Sequence, residues 1–398
     1  MPAGCLNMPD SLQALLHEEL SRLATEQLLR ERRVIRPIDA VHVEIDGRRC
    51  VNFCSNNYLG LTHHPRVVEA VRAAATEFGA GSGAAGLISG FSPKHLAAEA
   101  AVAQWKSTES ALLLPSGYQA NLAAVQTLAG LGKSRAKGVR FLIDKLAHAS
   151  LLDAVRGSDT DWRVFPHNGI AKIKRLLSDA DPQQLQVVVT ESVFSMDGDS
   201  AELAQIARLK QEHPFVLLLD EAHASGVYGP NGAGLAAEMG LQKIVDVFIV
   251  TFSKSAGCMG AAICGSNDFC RAVANFGRAY IFSTEISPPI AAGIETAIAV
   301  MRDEPQRQRR VRELAKNLRV KLREKGWDVA GGDSPIIPLI LGAEAEALRV
   351  SGELLQKGLL VLAVRPPTVP KGTSRLRITL SCEHSQGEIE KLADSLAR

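Results

Sequence analysis

Short apolar runs alternate with amphipathic stretches over most of this 398-residue chain. Runs that are nearly continuous in apolar residues and are separated by helical segments are typical of parallel strands that helices cover on both faces. The pattern therefore predicts a large α/β domain with a mostly parallel central sheet. The predicted strands contain Ala111–Leu114, Phe141–Ile143, Val187–Val189, Phe215–Leu219, Val247–Val250 and Ala261–Cys264.

The pattern changes near residue 290, where a long charged helical stretch begins. It leads to candidate strands at Ile336–Leu341, Val361–Val364 and Leu376–Leu380. Three short strands with two helices indicate a small α+β domain at the C-terminal end.

The spacing of leucines in the first part of the chain predicts a helical arm. Residues 11–33 carry leucines at helical spacing and end in the basic cluster Arg30–Arg33. We therefore expect three parts: an N-terminal arm with a strand segment of the small domain at 1–60, the large domain at 61–290, and the small domain at 291–398.

Composition excludes several classes of partner. With 45 basic and 43 acidic residues the net charge is +2, so no broad field for nucleic acid or anionic lipid is expected. No run of about 18 apolar residues predicts a membrane span, and the N-terminus lacks the pattern of a secretion signal.

The cysteines are odd in number and form no CxxC pair, so we expect reduced thiols in the cytoplasm without zinc or disulfides. They are Cys5, Cys50, Cys54, Cys258, Cys264, Cys270 and Cys382.

One lysine stands out among small residues. Lys254 lies in the segment Thr251–Gly257, directly after the apolar run Val247–Val250. A lysine at the exit of a buried strand can have a lowered amine pKa and room for a planar adduct, as a Schiff-base lysine requires. The alternative is a solvated loop lysine with an apolar stem.

Other polar residues follow other predicted strands, and ligands of open α/β sheets bind at that edge. Gly117 and Tyr118 follow Leu114 and open a helix, whose free amides suit a phosphate or simply form a capped turn. His148 can stack on a planar heterocycle or be an ordinary surface histidine. Ser195 can donate to a ligand oxygen or only close the turn at Asp197.

Asp220 and His223 follow the run Phe215–Leu219. A carboxylate at the end of a buried strand needs a cation or a donor, which a protonated pyridine nitrogen would supply. A metal pair and a helicase-type DExH motif are the alternatives, but no phosphate-binding GxxxxGK[ST] occurs. Together, the strand exits provide the groups that pyridoxal 5′-phosphate needs.

These motifs resemble the α-oxoamine synthases, a branch of the aspartate-aminotransferase-like (fold type I) pyridoxal-phosphate enzymes. The resemblance runs from about Arg30 to the C-terminus. It is carried by the segments Asn52–Gly60, Gly81–Gly90, Ser192–Asp199, Asp220–Gly226 and Arg365–Arg377.

The resemblance implies a role for each candidate residue. Lys254 would carry the Schiff base, Asp220 would pair with the pyridinium nitrogen, and His148 would stack on the ring. Ser195 and His223 would contact the phenolic oxygen. The phosphate would be held by Gly117, Tyr118 and Thr251, and by Thr284 of a neighbouring subunit, so that a homodimer shares its sites. The implied substrate contacts are Arg30, Asn56, Thr368 and Arg377, of which Arg377 would bind the amino-acid carboxylate.

The resemblance also implies a reaction. The segment Arg365–Arg377 is most similar to the branch that joins L-alanine to a pimeloyl thioester, with loss of CO2, in biotin biosynthesis. Ala84, Ala85 and Gly86 are small where glycine-using relatives tend to carry arginine at the last position, which favours alanine. Pimeloyl-CoA and a pimeloyl carrier protein stay open as donors. A sister synthase that uses glycine or serine and a non-catalytic partner subunit are the alternatives.

Overall fold

The largest sheet has seven strands within the part of the chain that the structure, a computed structural model, describes: residues 11–132 and 137–397. The strands of the whole described chain are β1 Arg36–Pro37, β2 His42–Ile45, β3 Arg48–Asn52, β4 Ser110–Leu114, β5 Val139–Asp144, β6 Asp161–Phe165, β7 Leu185–Glu191, β8 Val216–Asp220, β9 Val247–Thr251, β10 Ala261–Gly265, β11 Ile336–Gly342, β12 Leu359–Leu360, β13 Leu362–Val364 and β14 Ser374–Thr379.

The helices alternate with the strands of the large sheet. They are α1 Leu12–Thr25, α2 Pro65–Phe78, α3 Pro93–Lys106, α4 Gly117–Gly132, α5 Ala149–Arg156, α6 Ile170–Ser178, α7 Leu203–Glu212, α8 Leu235–Glu238, α9 Asn267–Phe276, α10 Arg278–Ile281, α11 Pro288–Asp303, α12 Gln306–Glu324, α13 Glu344–Gln356 and α14 Gln386–Ser395.

The strand order of the large sheet is β4-β10-β9-β8-β7-β5-β6. Strands β5 to β9 pair in parallel, whereas β10 runs antiparallel to β9 and β4. The central strands are buried along almost their whole length because helices cover both faces. The predicted α/β fold class with a mostly parallel sheet is therefore confirmed.

Strand β6 was not expected from the sequence. It lies at the edge of the sheet, where Arg163 and Val164 are exposed. An edge strand with one solvated side does not form a continuous apolar run, so the pattern that identifies its neighbours is missing there.

Helix α4 packs closely on the sheet because its inner side is made of small residues. Ala120, Ala123 and Ala124 are fully buried in the same core cluster as Ile249 of β9. Such a helix can lie near the sheet surface, and its first turn then comes close to the ends of the strands.

Two smaller sheets contain the remaining strands. One has the order β11-β14-β13 and the other the order β1-β2-β3-β12. The strands of the first sheet coincide with the three predicted near the C-terminus. The predicted arm is shorter than expected: α1 ends at Thr25, because Gln27 takes a left-handed φ of 58°. The basic cluster Arg30–Arg33 therefore lies outside the helix.

The described chain divides into two compact units. One contains the residues up to Ile38, His42–Cys54 and Pro338–Ile378; the other contains Asp39–Val41, Ser55–Ile337 and the residues from Thr379. The predicted boundary near 290 differs from this division. Helix α11 packs on α2 and α3 within the larger unit, so the chain just after 290 belongs to that unit.

A buried ion pair lies beside the end of β8. Lys106, the last residue of α3, donates to Glu221 Oε2 and to the carbonyl of Ala233, and the two charged side chains are 1% and 0% exposed. Glu221 Oε1 accepts from the Ala236 N–H at 2.9 Å. The pair therefore holds the segment after β8 against α3.

Removing one partner of this pair should destabilise the protein strongly. For Lys106→Ala we expect a loss of about 3–5 kcal/mol in the free energy of unfolding, because Glu221 is left as an uncompensated buried charge. The matched control is Lys174→Ala. Lys174 pairs with Glu212 on the surface, and the side chain of Lys174 is 55% exposed. It should change stability by at most about 1 kcal/mol. Equal losses in urea denaturation would contradict this assignment.

Candidate functional site

The parallel register places the last residues of neighbouring strands side by side. Glu191 at the end of β7 pairs with Asp220 at the end of β8, and Asp220 pairs with Ile249 of β9. Lys254 lies in the turn that follows β9. The sheet thus brings together residues that are far apart in the sequence.

Asp220 is a buried carboxylate with uncharged donors. Its side chain is almost fully buried; Oδ2 accepts from Asn121 Nδ2 and Oδ1 accepts from the Ala222 N–H, both at 2.9 Å. Asn121 also donates to Ser150 Oγ at 2.9 Å, so α4 and α5 fix the amide. The sequence interpretation did not assign Asn121 a role; its position one turn after Gly117 on a buried helix face was the available signal.

Glu191 is a second buried carboxyl beside Asp220. Burial and the neighbouring Asp220 charge hold its pKa well above the usual range, while the positive charge of Lys254 opposes that shift. The raised pKa favours the neutral form of Glu191, and its Oε1 makes no hydrogen bond within the described residues. The sequence interpretation quoted this residue only as part of a motif.

His148 lies at the start of α5, where its ring nitrogen accepts from the Ser150 N–H at 3.2 Å and contacts Ser150 Oγ at 2.7 Å. The residue as a whole is exposed, but neighbouring atoms desolvate its ring. Desolvation lowers the pKa of His148, and the charge of Lys254 lowers it further, against the opposite effect of Asp220. The charges of Asp220 and Lys254 therefore both act on His148.

His223 is buried and oriented by a tyrosine. Its Nδ1 lies 2.6 Å from Tyr58 Oη, and the Tyr58 hydroxyl donates to Asn56 Oδ1 at 3.3 Å. A hydroxyl has one proton. When the Tyr58 hydroxyl donates that proton to Asn56, it accepts from His223, so Nδ1 of His223 carries a proton. Tyr58 is completely buried and connects Asn56 to His223. The sequence interpretation assigned Tyr58 no role, because it lies 165 residues from His223.

Lys254 lies in a tight turn and is half-buried. Gly257 closes that turn: its N–H donates to the Lys254 carbonyl at 3.0 Å, its φ is +66°, and a Cβ there would overlap the backbone at Thr62. Ser255 and Ala256 are buried behind it. Glycine is therefore required at position 257 for steric reasons.

The start of α4 lies against the end of β9. A Cβ on Gly117 would lie 2.6 Å from Thr251 Cγ2, so only glycine fits at this position. Tyr118 is exposed, and its hydroxyl donates to Asp153 at 2.7 Å. The first helical amides of α4 thus lie beside the end of β9, where a helix N-terminus favours an anion, while the Thr251 hydroxyl donates to the Ala222 carbonyl at 3.4 Å.

The remaining candidates of the larger unit are Ser195 and Thr284. Ser195 is half-buried in the turn after β7, and Thr284 is exposed. Ser283, next to Thr284, accepts from Gln119 Nε2 of α4 at 2.7 Å. The structure therefore brings the Thr284 segment to the start of α4.

The smaller unit contains the other substrate candidates. Arg377 is buried in β14, and Thr368 is exposed on the loop after β13. Arg30 donates from Nη2 to the carbonyl of Pro366 at 3.0 Å, and Arg365 donates to that of Leu29. Two segments more than 300 residues apart are thus in contact, which the sequence alone does not reveal.

Two findings bear on other classes of function. Across residues 11–132 and 137–397, no cluster of three or more histidine, cysteine, aspartate or glutamate side chains has the arrangement of a metal site. Within the same residues, no helix has both the length and the apolar character of a membrane span. The described cysteines are free thiols; Cys5 lies outside the described residues.

Known proteins resemble this chain over nearly its whole length. An 8-amino-7-oxononanoate synthase of Anaeromyxobacter dehalogenans is 41% identical and covers 95% of this chain and 94% of its own. A protein of the same name from Alkalilimnicola ehrlichii is 39% identical and covers 98% of each chain.

Solved structures agree with these relatives. A Sphingomonas wittichii serine palmitoyltransferase has a TM-score of 0.89 at 30% identity and covers 99% of this chain and 97% of its own. A structure of SPT with the PLP internal aldimine has a TM-score of 0.89 at 28% identity and covers 97% of each chain. The family model for aminotransferase class I and II matches residues 48–396. The chain therefore belongs to the class I and II aminotransferase family, in its α-oxoamine synthase branch.

Proposed function

We propose that this chain condenses L-alanine with a pimeloyl thioester to give 8-amino-7-oxononanoate, CO2 and the free thiol, a step of biotin biosynthesis. The observation that carries the proposal is the pairing of β8 with β9, which sets the Asp220 carboxylate beside the segment that carries Lys254. The identity of 37–41% to proteins named 8-amino-7-oxononanoate synthase supports the substrates.

The residues present fit pyridoxal phosphate, the cofactor of this family. Asp220 accepts only from uncharged donors among the hydrogen bonds of the described chain, so a protonated ring nitrogen would be its charged partner. The close approach of Gly117 to Thr251 sets the first backbone amides of α4 beside the end of β9, where they would hold a phosphate. When bound, the cofactor supplies an electron sink for negative charge at Cα of the amino acid.

Each candidate site residue then has a chemical role. Lys254 would hold the cofactor covalently, and its amine would accept the Cα proton of alanine as general base. Asp220 would keep the ring nitrogen protonated. His148 would stack on the ring, while Ser195 and His223 would contact the phenolic oxygen.

The substrate contacts follow from the same proposal. Arg377 binds the alanine carboxylate with its planar fork of donors. Asn56, Arg30 and Thr368 contact the substrates, and the contact between Arg30 and the loop of Thr368 supports a common site for the last two. A homodimer in which Thr284 reaches the partner's phosphate, a location in the cytoplasm and the choice between CoA and a carrier protein stay predictions.

A matrix of substrates tests the proposed function. Alanine, glycine and serine are each assayed against acyl thioesters of different length, and the free thiol is measured. We expect the highest kcat/KM for alanine with the pimeloyl thioester, because Ala84, Ala85 and Gly86 leave no charged side chain in that loop. A preference for glycine or serine would instead identify a sister synthase.

Lys254→Ala should abolish turnover and the visible absorbance of the lysine–cofactor bond. No other residue would form that bond or accept the Cα proton. The matched control is Lys145→Ala, which removes an exposed lysine directly after β5. The control should keep both activity and absorbance; loss in the control, or retention in Lys254→Ala, would contradict the assignment.

Replacing the carboxyl of Asp220 and replacing the neighbouring carboxyl of Glu191 should change kcat by different amounts. Asp220→Asn should lower kcat about 100-fold while cofactor still binds, because a carboxamide does not hold the ring nitrogen protonated. Glu191→Gln should change kcat less than about threefold, because the raised pKa of Glu191 favours the neutral acid and glutamine has the same shape. The measurement is steady-state kcat with cofactor content determined for each variant. Equal effects of the two changes would refute the distinction.

A further inference from the structure

A histidine outside the proposed site binds two carboxylates at once. His167 follows β6, and its Nδ1 lies 3.2 Å from Asp144 Oδ1 while its Nε2 lies 2.7 Å from Asp199 Oδ2. Each nitrogen must carry a proton to donate to a carboxylate, so the ring is an imidazolium. The hydrogen bonds of Asp144 and then Asp199 raise the pKa of His167 to about 10, which keeps the ring charged at neutral pH.

Asp144 fixes the turn that leads to His148. It is the last residue of β5 and is 1% exposed at the side chain. Its Oδ1 also accepts from the Leu146 N–H at 2.8 Å, and its carbonyl accepts from the Ala147 N–H at 3.1 Å. The turn from 144 to 148 is therefore built on this carboxylate.

Asp199 closes the turn that carries Ser195. Its carbonyl accepts from the Phe194 N–H at 2.9 Å, and the Gly198 N–H donates to the Phe194 carbonyl at 2.9 Å. The imidazole of His167 meets the Phe194 ring edge to face, with centroids 4.4 Å apart. His167 thus contacts both ends of the turn from 194 to 199.

We propose that His167 is a positioning residue for the cofactor: its imidazolium joins the turn that carries His148 to the turn that carries Ser195. The inference rests on the proposed function, in which His148 stacks on the ring and Ser195 contacts its phenolic oxygen. His167 is not among the residues proposed to contact the cofactor or the substrates. Its charge is essential, because a neutral side chain leaves the buried Asp144 without a cation.

The experiment compares two histidine variants of the full chain. His167→Gln removes the charge between the two turns. The matched control is His64→Gln, since His64 is also buried and contacts one carboxylate, Glu304, at 3.1 Å, which belongs to neither of the two turns. For each variant we measure the dissociation constant of pyridoxal phosphate from reconstituted protein, the melting temperature of the cofactor-free protein, and kcat and KM for alanine.

His167→Gln should weaken cofactor binding about tenfold, the effect of losing a hydrogen bond to a charged group. His64→Gln should lower the melting temperature and change the dissociation constant less than about twofold. A dissociation constant for His167→Gln within twofold of the wild type overturns the proposal. So does equal weakening in the control, because the effect would then follow from stability alone.

A second variant covers the case in which His167→Gln does not fold. Asp199→Asn changes a side chain that is 41% exposed and leaves the bond between His167 and Asp144. It should weaken cofactor binding about threefold, as expected when one charge-assisted bond becomes a neutral one. Unchanged binding in this variant overturns the proposal. Failure of the wild-type protein to bind pyridoxal phosphate would instead refute the proposed function itself.

Discussion

The parallel pairing of β7, β8 and β9 is the constraint on which the rest of the site depends. It sets Glu191 and Asp220 side by side at the end of the sheet and brings the Lys254 segment next to them. Two carboxyls so close in a buried place cannot both be ionised without a cation for each. Burial and the Asp220 charge raise the pKa of Glu191 well above its usual range, which favours the neutral form of Glu191.

Around this pair, the segments after the strands are held by polar contacts that are buried or nearly so. Lys106 and Glu221 fix the segment after β8, and Tyr58 orients His223 within it. His167 connects the turns after β5 and β7. Loops at the edge of a sheet are mobile unless such bonds fix them, and a cofactor site needs its contacts held in place before the ligand arrives.

Much of the site could be predicted from the sequence because its residues follow apolar runs directly. His148, Asp220 and Lys254 were each identified as candidates by that position, and the charges of Asp220 and Lys254 both act on the pKa of His148. Asn121 and Tyr58 were not assigned a role. Each supports a site residue from another element, Asn121 from α4 to Asp220 and Tyr58 to His223, and no sequence spacing encodes such a contact.

The sequence by itself determined the fold class and the chemical groups, because continuous apolar runs must be buried on both faces and the polar residues after them must then lie at one edge. Only the tertiary structure decided which carboxyl has the raised pKa, which side chains support the site, and where α1 ends. Those outcomes depend on burial, on a backbone angle at Gln27, and on contacts between residues 99 and 165 positions apart. Such quantities arise from packing, so they follow from three-dimensional proximity rather than from the order of residues.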